Sequence, residues 1–398
     1  MKYLVVLGDG MADRPLAVLN NKTPLEAADI PDINRLAVLG QTGLIKTVPD
    51  QFKPGSDVAN LSVIGYPPQI YYSGRSPLEA LSIGVDMRPD DVAIRCNLVT
   101  IESDVMVDYS AGEITSSEAK EIIATISKEL GSEKFKFYPG VSYRHCLIAV
   151  NAKEANNIIL TPPHDITGKP ICEYMPKGYM ADEFSQMIKK SKHILENHPI
   201  NLKRIKEGKR PATNVWLWGA GLKPNLKSFK ELYGLNGTII SAVDLLKGIA
   251  LGAKMQAPEV MGATGTLNTN LDNKIKAVIN AFESGSDYVY LHIEAPDECG
   301  HQGDVFGKIK AIEMVNKAVK ILTEYLIKTN CPYTIAILSD HATPIETKTH
   351  SREAVPYTIY KSLNPAKSGY RHTENEAKAG MYLKEGQELI KEMLGVTK

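Results

Sequence analysis

The chain has no net charge: 46 Lys and Arg balance 46 Asp and Glu, with no long basic or acidic run. Nucleic acids and anionic membranes recruit proteins through a positive field, so neither is expected as a partner. Cysteine is sparse. None of Cys96, Cys146, Cys172, Cys299 and Cys331 has a neighbour at the short spacing of a zinc or redox motif. Scattered, odd-numbered thiols fit a reducing compartment, which makes the cytoplasm the expected location. Long apolar runs are missing as well. The run at residues 3–7, after Lys2, stops at Gly8-Asp9-Gly10 and is too short for a signal core. No later stretch approaches the ~18 apolar residues of a membrane span. Internal repeats, low-complexity segments and a Gly-x-x-x-x-Gly-Lys-Ser/Thr phosphate loop are absent too.

What the chain does have is the texture of a globular protein, 43% hydrophobic and 23% charged. Its 398 residues exceed one ordinary core, so two domains are expected. Short β-branched runs at 3–7, 288–293 and 333–338, with shorter ones at 214–218 and 237–240, read as buried strands. Between them lie helical patterns. Thr115-Ser116-Ser117-Glu118 is a candidate capping box, opening a helix with Ala119, Ile122, Ile123, Ile126 and Leu130 on one face. Another helix is expected over about 305–327, with Ile309, Ile312, Val315, Val319, Leu322 and Leu326 inward. Strands alternating with helices imply an α/β fold with a largely parallel sheet flanked by helices. The stretch 91–187, with shorter strand-like pieces and the loop Thr161-Pro162-Pro163-His164-Asp165, reads as a smaller inserted α+β domain. The remainder, 1–90 and 188–398, forms the larger domain.

Hard-metal ligand types cluster at the expected strand ends. Asp9 follows the first strand, Asp297 and His301 follow the strand ending at Ile293, and Asp340 and His341 follow Leu338, with His350 beyond. In open α/β sheets, sites form outside the carboxyl ends of strands. Taken singly, an Asp after a strand is a turn former or helix cap, and His341 and His350 are loop histidines. Their convergence points elsewhere. Carboxylate with imidazole suits Zn²⁺ or Mn²⁺ and tolerates Mg²⁺, and six such ligands exceed the needs of one catalytic zinc. A paired-metal centre is expected. Ser56, in Lys53-Pro54-Gly55-Ser56-Asp57-Val58-Ala59-Asn60-Leu61-Ser62, would open a helix, where backbone N–H groups favour a phosphate. An ordinary helix cap is the plainer reading of that serine. No general-base triad is evident, so metal coordination is the expected means of activation.

The order Asp9, Ser56, Asp297-x-x-x-His301, Asp340-His341, His350 resembles the alkaline-phosphatase superfamily. Gly8-Asp9-Gly10-Met11-Ala12-Asp13-Arg14-Pro15, Thr23-Pro24-Leu25-Glu26-Ala27-Ala28, Gly55-Ser56-Asp57-Val58-Ala59-Asn60-Leu61-Ser62 and Gly74-Arg75-Ser76-Pro77-Leu78-Glu79-Ala80 are similar to the archaeal-type phosphoglycerate mutases that need no bisphosphoglycerate. The likeness covers essentially the whole chain. It implies an alkaline-phosphatase-like core with an inserted cap, and an isomerase interconverting 3-phosphoglycerate and 2-phosphoglycerate through a phosphoserine at Ser56. It assigns Asp297, His301 and His350 to one divalent ion, and Asp9, Ser56, Asp340 and His341 to the other, whether Mn²⁺, Mg²⁺ or Zn²⁺.

A trapped glycerate also needs cationic and hydrogen-bonding partners. Arg95, the pair Arg144-His145 and His164 are the candidates in the insert; Lys247 and Arg75 are candidates in the larger domain. Each is equally a solvated surface residue. The wording around Gly8–Asp13 and Tyr71-Tyr72-Ser73-Gly74-Arg75 is similar to a bacterial branch whose members are labelled proposed homoserine kinases. A phosphatase or phosphodiesterase with the same centre is a second alternative, and a non-catalytic metal-binding protein a remote one. The sequence leaves the oligomeric state open.

Overall fold

The apolar runs form strands and the amphipathic stretches form helices in a computed structural model that describes residues 1–396. In chain order the strands are β1 (Lys2–Gly8), β2 (Gln41–Ile45), β3 (Val92–Glu102), β4 (Val105–Asp108), β5 (Phe135–Tyr138) and β6 (Arg144–Ala149). They continue with β7 (Asn214–Leu222), β8 (Gly237–Ile240), β9 (Tyr288–Ile293), β10 (Tyr333–Leu338), β11 (Val355–Lys361) and β12 (Met381–Leu383). Two compact units divide them: residues 1–72 with 226–398, and residues 73–225.

In the first unit a seven-stranded sheet runs in the order β12-β2-β11-β10-β1-β9-β8. β1 is parallel to both β9 and β10, β8 is parallel to β9, and only β11 runs against its two neighbours. Parallel strands covered on both faces need continuous apolar sequence. Accordingly β9 and β10 are buried at every residue. Leu4, Val6, Leu291 and Ile337 pack with Ile312, Val315, Val319 and Leu322 of the long helix Val305–Lys328. Each such side chain contributes about 1.5–3 kcal/mol through burial. The register sets Leu7 beside Leu338 and Gly8 beside Ile293. The residues that follow these three strands therefore emerge side by side.

The second unit has a wholly antiparallel sheet, β4-β3-β6-β5, and β7 also pairs with β3. Its core joins Val92, Ile94 and Leu98 to Ile122, Ile126, Phe184 and Trp216. The capping box forms: the Thr115 side chain accepts from the Glu118 N–H, and Glu118 reaches back to the Thr115 N–H. This unit is wider than the expected insert 91–187. The helix Arg75–Ser82 and β7 both pack on β3, so Arg75 and the strand expected at 214–218 belong here and not to the larger domain. An apolar strand sequence carries no mark of which sheet it joins, and β7 finds its partner in β3 across more than a hundred residues. No helix among the described residues is long and apolar enough to cross a membrane.

One buried ion pair bears directly on the strand ends. Lys308 Nζ donates to Asp13 Oδ2 at 2.7 Å, to the Thr343 carbonyl at 2.8 Å and to the Ala12 carbonyl at 3.3 Å, so it ties the segment after β1 to the segment after β10. Both side chains of the pair are fully buried. Removing one partner of a buried pair leaves an uncompensated charge, so Lys308→Met is expected to lower stability by about 3 kcal/mol. Urea unfolding measures this; a loss under about 1 kcal/mol would mean that the backbone alone holds the two segments.

Candidate metal centre beside Ser56

Six of the side chains expected from the sequence come together in two groups. Asp9, Asp340 and His341 form one; Asp297, His301 and His350 form the other; within each, the ligating atoms lie within 4.8 Å of one another. The helix Ala295–Gln302 begins directly after β9, opened by Pro296 in its first turn, and its 3.6-residue period sets Asp297 and His301 on one face. Gly10 lies between the groups at φ +59°, where a Cβ would come within 2.6 Å of both Asp297 Oδ1 and Thr343 Oγ1. Only glycine fits that turn.

The electrostatics of the groups are those of a site short of positive charge. Burial, then Asp340 and Asp297, push the Asp9 carboxyl well above the usual range. Its Oδ1 is buried without a hydrogen-bond partner. Asp340 is better provided: its Oδ1 accepts from the Gly10 N–H at 3.1 Å and the His341 N–H at 2.9 Å, and its Oδ2 accepts from Asn60 at 2.8 Å. For Asp297, burial pulls upward but hydrogen bonds from His301 and His350 outweigh it and hold the carboxyl far below its usual range.

Hydrogen bonds also select the imidazole tautomers. Thr343 Oγ1 gives its single proton to Asp297 Oδ1 at 2.5 Å and can only accept from His341 Nδ1 at 3.2 Å. His341 Nε2 is thereby left with a lone pair, and burial lowers the pKa of the ring. His301 Nδ1 donates to the Lys348 carbonyl at 2.9 Å, which turns its Nε2 to within 3.0 Å of His350 Nε2. Two imidazole nitrogens so close in one group, and a buried carboxylate oxygen without a hydrogen-bond partner in the other, fit divalent cations held by nitrogen and oxygen donors.

Ser56 is the first residue of the helix Ser56–Ile64, capped by Gly55, and its Oγ lies 3.1 Å from His341 Nε2. The sequence offered no base for this serine; the structure puts His341 Nε2, of the group with Asp9 and Asp340, beside it. Asn60, one turn on, holds the arrangement together, donating to the Ser56 carbonyl at 2.9 Å and to Asp340 while accepting from Tyr290 at 2.6 Å. Sequence reasoning missed Asn60, Tyr290, Thr343, His292, Glu294 and Lys274. The signal for Asn60 was its i+4 spacing from Ser56, and for His292 its place inside an apolar strand. His292 Nε2 approaches Asp9 Oδ2 at 3.0 Å, too poorly aligned for a hydrogen bond, so charge carries the contact. Burial pulls His292 down, yet Glu294 and Asp9 outweigh it and raise it to about 10.

The substrate-binding candidates divide. In the second unit Arg95 makes two 2.8 Å contacts to Glu79 and stacks 4.0 Å over Trp218, while Arg75 also reaches Glu79 at 2.8 Å. His164 packs edge-on to Trp218 and Tyr109, Tyr109 packs on Tyr143, and exposed Arg144 lies over Tyr143. One aromatic row therefore links Arg95, His164 and Arg144. His145 does not join them. It is buried, accepts from the Gly140 N–H at 3.1 Å, and burial lowers it to about 3, so it is a neutral structural residue. Lys247 is in the first unit and pairs with Glu259 at 2.7 Å.

Residues 37–201 match a family described as 2,3-bisphosphoglycerate-independent phosphoglycerate mutase. A protein of that name from Methanosarcina mazei is 50% identical over 92% of each chain. A probable 2,3-bisphosphoglycerate-independent phosphoglycerate mutase from Geobacter sulfurreducens is 44% identical over 99% of this chain and 100% of its own. Among solved structures, the cofactor-independent phosphoglycerate mutase of Thermoplasma acidophilum aligns over the whole of both chains with a TM-score of 0.69 and 26% identity. The PH0037 protein of Pyrococcus horikoshii aligns over 99% of this chain and 96% of its own with a TM-score of 0.81 and 30% identity.

Two outcomes follow from this geometry. Gly10→Ala strains a left-handed residue by about 1–2 kcal/mol and drives a methyl group between the two acid groups. Calorimetric titration of the metal-free variant with Mn²⁺ should show affinity at least about tenfold weaker; unchanged affinity would show that the turn tolerates Cβ. The second outcome concerns pH. The hydrogen bond to Asp297 outweighs partial burial and raises His301 to about 9, so below that value a cation must displace its proton. Mn²⁺ affinity should therefore rise with pH up to about 9, by at most about tenfold per unit per displaced proton. Proton release in buffers of differing ionisation enthalpy checks this, and a flat profile between pH 6 and 8 excludes it.

Proposed function

The chain belongs to the 2,3-bisphosphoglycerate-independent phosphoglycerate mutase family, and on that premise we propose that it interconverts 3-phosphoglycerate and 2-phosphoglycerate through a phosphoserine at Ser56. The observation that carries the reading is Ser56 Oγ, at a helix N-terminus, 3.1 Å from a group of two carboxylates and an imidazole. Asp297, His301 and His350 would hold one divalent cation; Asp9, Ser56, Asp340 and His341 would hold the other. Mn²⁺, Mg²⁺ or Zn²⁺ there would neutralise phosphoryl charge and favour the serine alkoxide.

The chain's own residues do the rest. Ser56 Oγ loses its proton and forms a bond to phosphorus as the bond from phosphorus to the substrate's 3-oxygen breaks, and that oxygen takes up one proton in exchange and leaves as a hydroxyl. Glycerate turns within the site, and its 2-oxygen, giving up its proton, attacks phosphorus as the Ser56 ester bond breaks and the serine hydroxyl regains a proton. The first N–H groups of the helix Ser56–Ile64 stabilise the phosphoryl oxygens. Arg95, Arg75, Arg144 and His164 are the candidates for holding the carboxylate, with Arg144 the exposed fork suited to a bidentate contact. Buried His145 is dropped from that role, and Lys247, ion-paired as Arg75 and Arg95 are, stays a candidate. The five cysteines are all free, which fits a reducing, cytoplasmic setting.

An enolase-coupled assay after chelation, with add-back of Mn²⁺, Mg²⁺ and Zn²⁺ in turn, tests reaction and metal together. Formation of 2-phosphoglycerate supports the mutase, inorganic phosphate would mean a hydrolase, and ATP-dependent product with homoserine a kinase. Ser56→Ala is expected to lower turnover by roughly a thousandfold or more with metal content nearly intact. Retained turnover would sink the phosphoserine route. Arg144→Ala should mainly raise KM.

A further inference from the structure

β9 carries one polar side chain that a buried strand has no packing reason to hold: His292, fully buried in Tyr288-Val289-Tyr290-Leu291-His292-Ile293. Both ring nitrogens face carboxylates. Nε2 lies 3.0 Å from Asp9 Oδ2, and Nδ1 lies 3.1 Å from Glu294 Oε1. Glu294 is itself fixed, accepting from Ser241 Oγ at 3.0 Å and the Ala242 N–H at 2.8 Å and pairing with Lys274. Lys274, fully buried, also donates to the His292 carbonyl at 2.9 Å. Lys274, Glu294, His292 and Asp9 thus form an unbroken buried row that ends on the carboxylate. At that end the two oxygens differ: Oδ2 faces His292, while Oδ1 has no hydrogen-bond partner and lies 3.6 Å from His341 Nε2.

We propose that His292 is a positioning residue for Asp9: backed by Glu294 and Lys274, it engages one carboxylate oxygen and reserves the other for the cation. The inference rests on the reading of Asp9 as a cation ligand. An unrestrained carboxylate rotates and presents either oxygen or both, and ordering it on binding lowers affinity. A carboxylate already held through one oxygen avoids that loss, as outer partners of ligands do elsewhere. Among the described residues no hydrogen bond or ion pair joins Lys274, Glu294 or His292 to Ser56, so their effect on turnover is expected to pass through Asp9.

Mn²⁺ titration of the full-length, metal-free chain, with unbound Mn²⁺ read by its solution spin-resonance signal and folding by thermal melting, tests this without substrate. His292→Leu should weaken the Asp9-dependent site by about 10–100-fold, and His292→Gln, which puts an amide dipole but no charge near the Nε2 position, should recover only part of it. In an Asp9→Asn background, His292→Leu should add no further loss. Unchanged affinity in folded His292→Leu, or an equal loss in both backgrounds, overturns the inference. If His292→Leu fails to melt cooperatively, Glu294→Gln decides, with about tenfold weakening expected and none overturning the inference. Should Asp9→Asn itself leave Mn²⁺ binding unchanged, the ligand reading fails, an outcome distinct from failure of the positioning role.

Discussion

Three carboxylates, Asp9, Asp297 and Asp340, are driven together by the register of β1, β9 and β10, and their mutual repulsion in a largely dry edge of the sheet is what the surrounding residues must answer. A sheet of this kind has no freedom to spread them. β1 is central and bonded on both sides, so displacing Asp9 would break a buried ladder. The fold instead supplies donors unequally. Asp340 has three, Asp297 has imidazoles and a threonine, and Asp9 is left with one oxygen unmet. Charge that the protein declines to neutralise is what a divalent cation is suited to neutralise.

The same network disposes the serine. Asn60 joins Asp340, the Ser56 carbonyl and Tyr290, so the helix that presents the serine is attached to the acid group itself. Thr343 bridges the two groups through Asp297 and His341, and His341 faces Ser56. Ligand geometry and nucleophile geometry are one structure. A phosphoryl-transfer site benefits from this, because its catalysis is mostly positioning and charge stabilisation.

How much of this was open to a reader of the sequence follows from the range of each interaction. Apolar runs and helical periods are local, so β9 and β10 fell on the expected residues and the Thr115–Glu118 capping box formed as read. Ligand types after strand ends were legible because the parallel fold fixes where strand ends meet. The row Lys274–Glu294–His292 was not, since it requires a helix, a strand and a loop to be set in register before the charges meet. The pairing of β7 with β3 failed for a similar reason, and with it the width of the second unit. His145 could have been read correctly. Neighbours in a strand point to opposite faces, so Arg144 and His145 could not both face a ligand, and the exposed one is Arg144.

The two buried lysines show how the charge is apportioned. Lys308 neutralises Asp13 and Lys274 neutralises Glu294, and neither of these carboxylates belongs to the two ligand groups. A lysine turned one residue further, onto Asp9 or Asp297, would satisfy the repulsion permanently and compete with any cation for the same oxygens. Placed on the outer carboxylates, the lysines instead fix the segments that carry the inner ones: Lys308 joins the stretch after β1 to that after β10, and Lys274 braces the end of β9. Fixed positive charge thereby holds the three strand ends in place, while the negative charge at their tips stays available to an exchangeable ion.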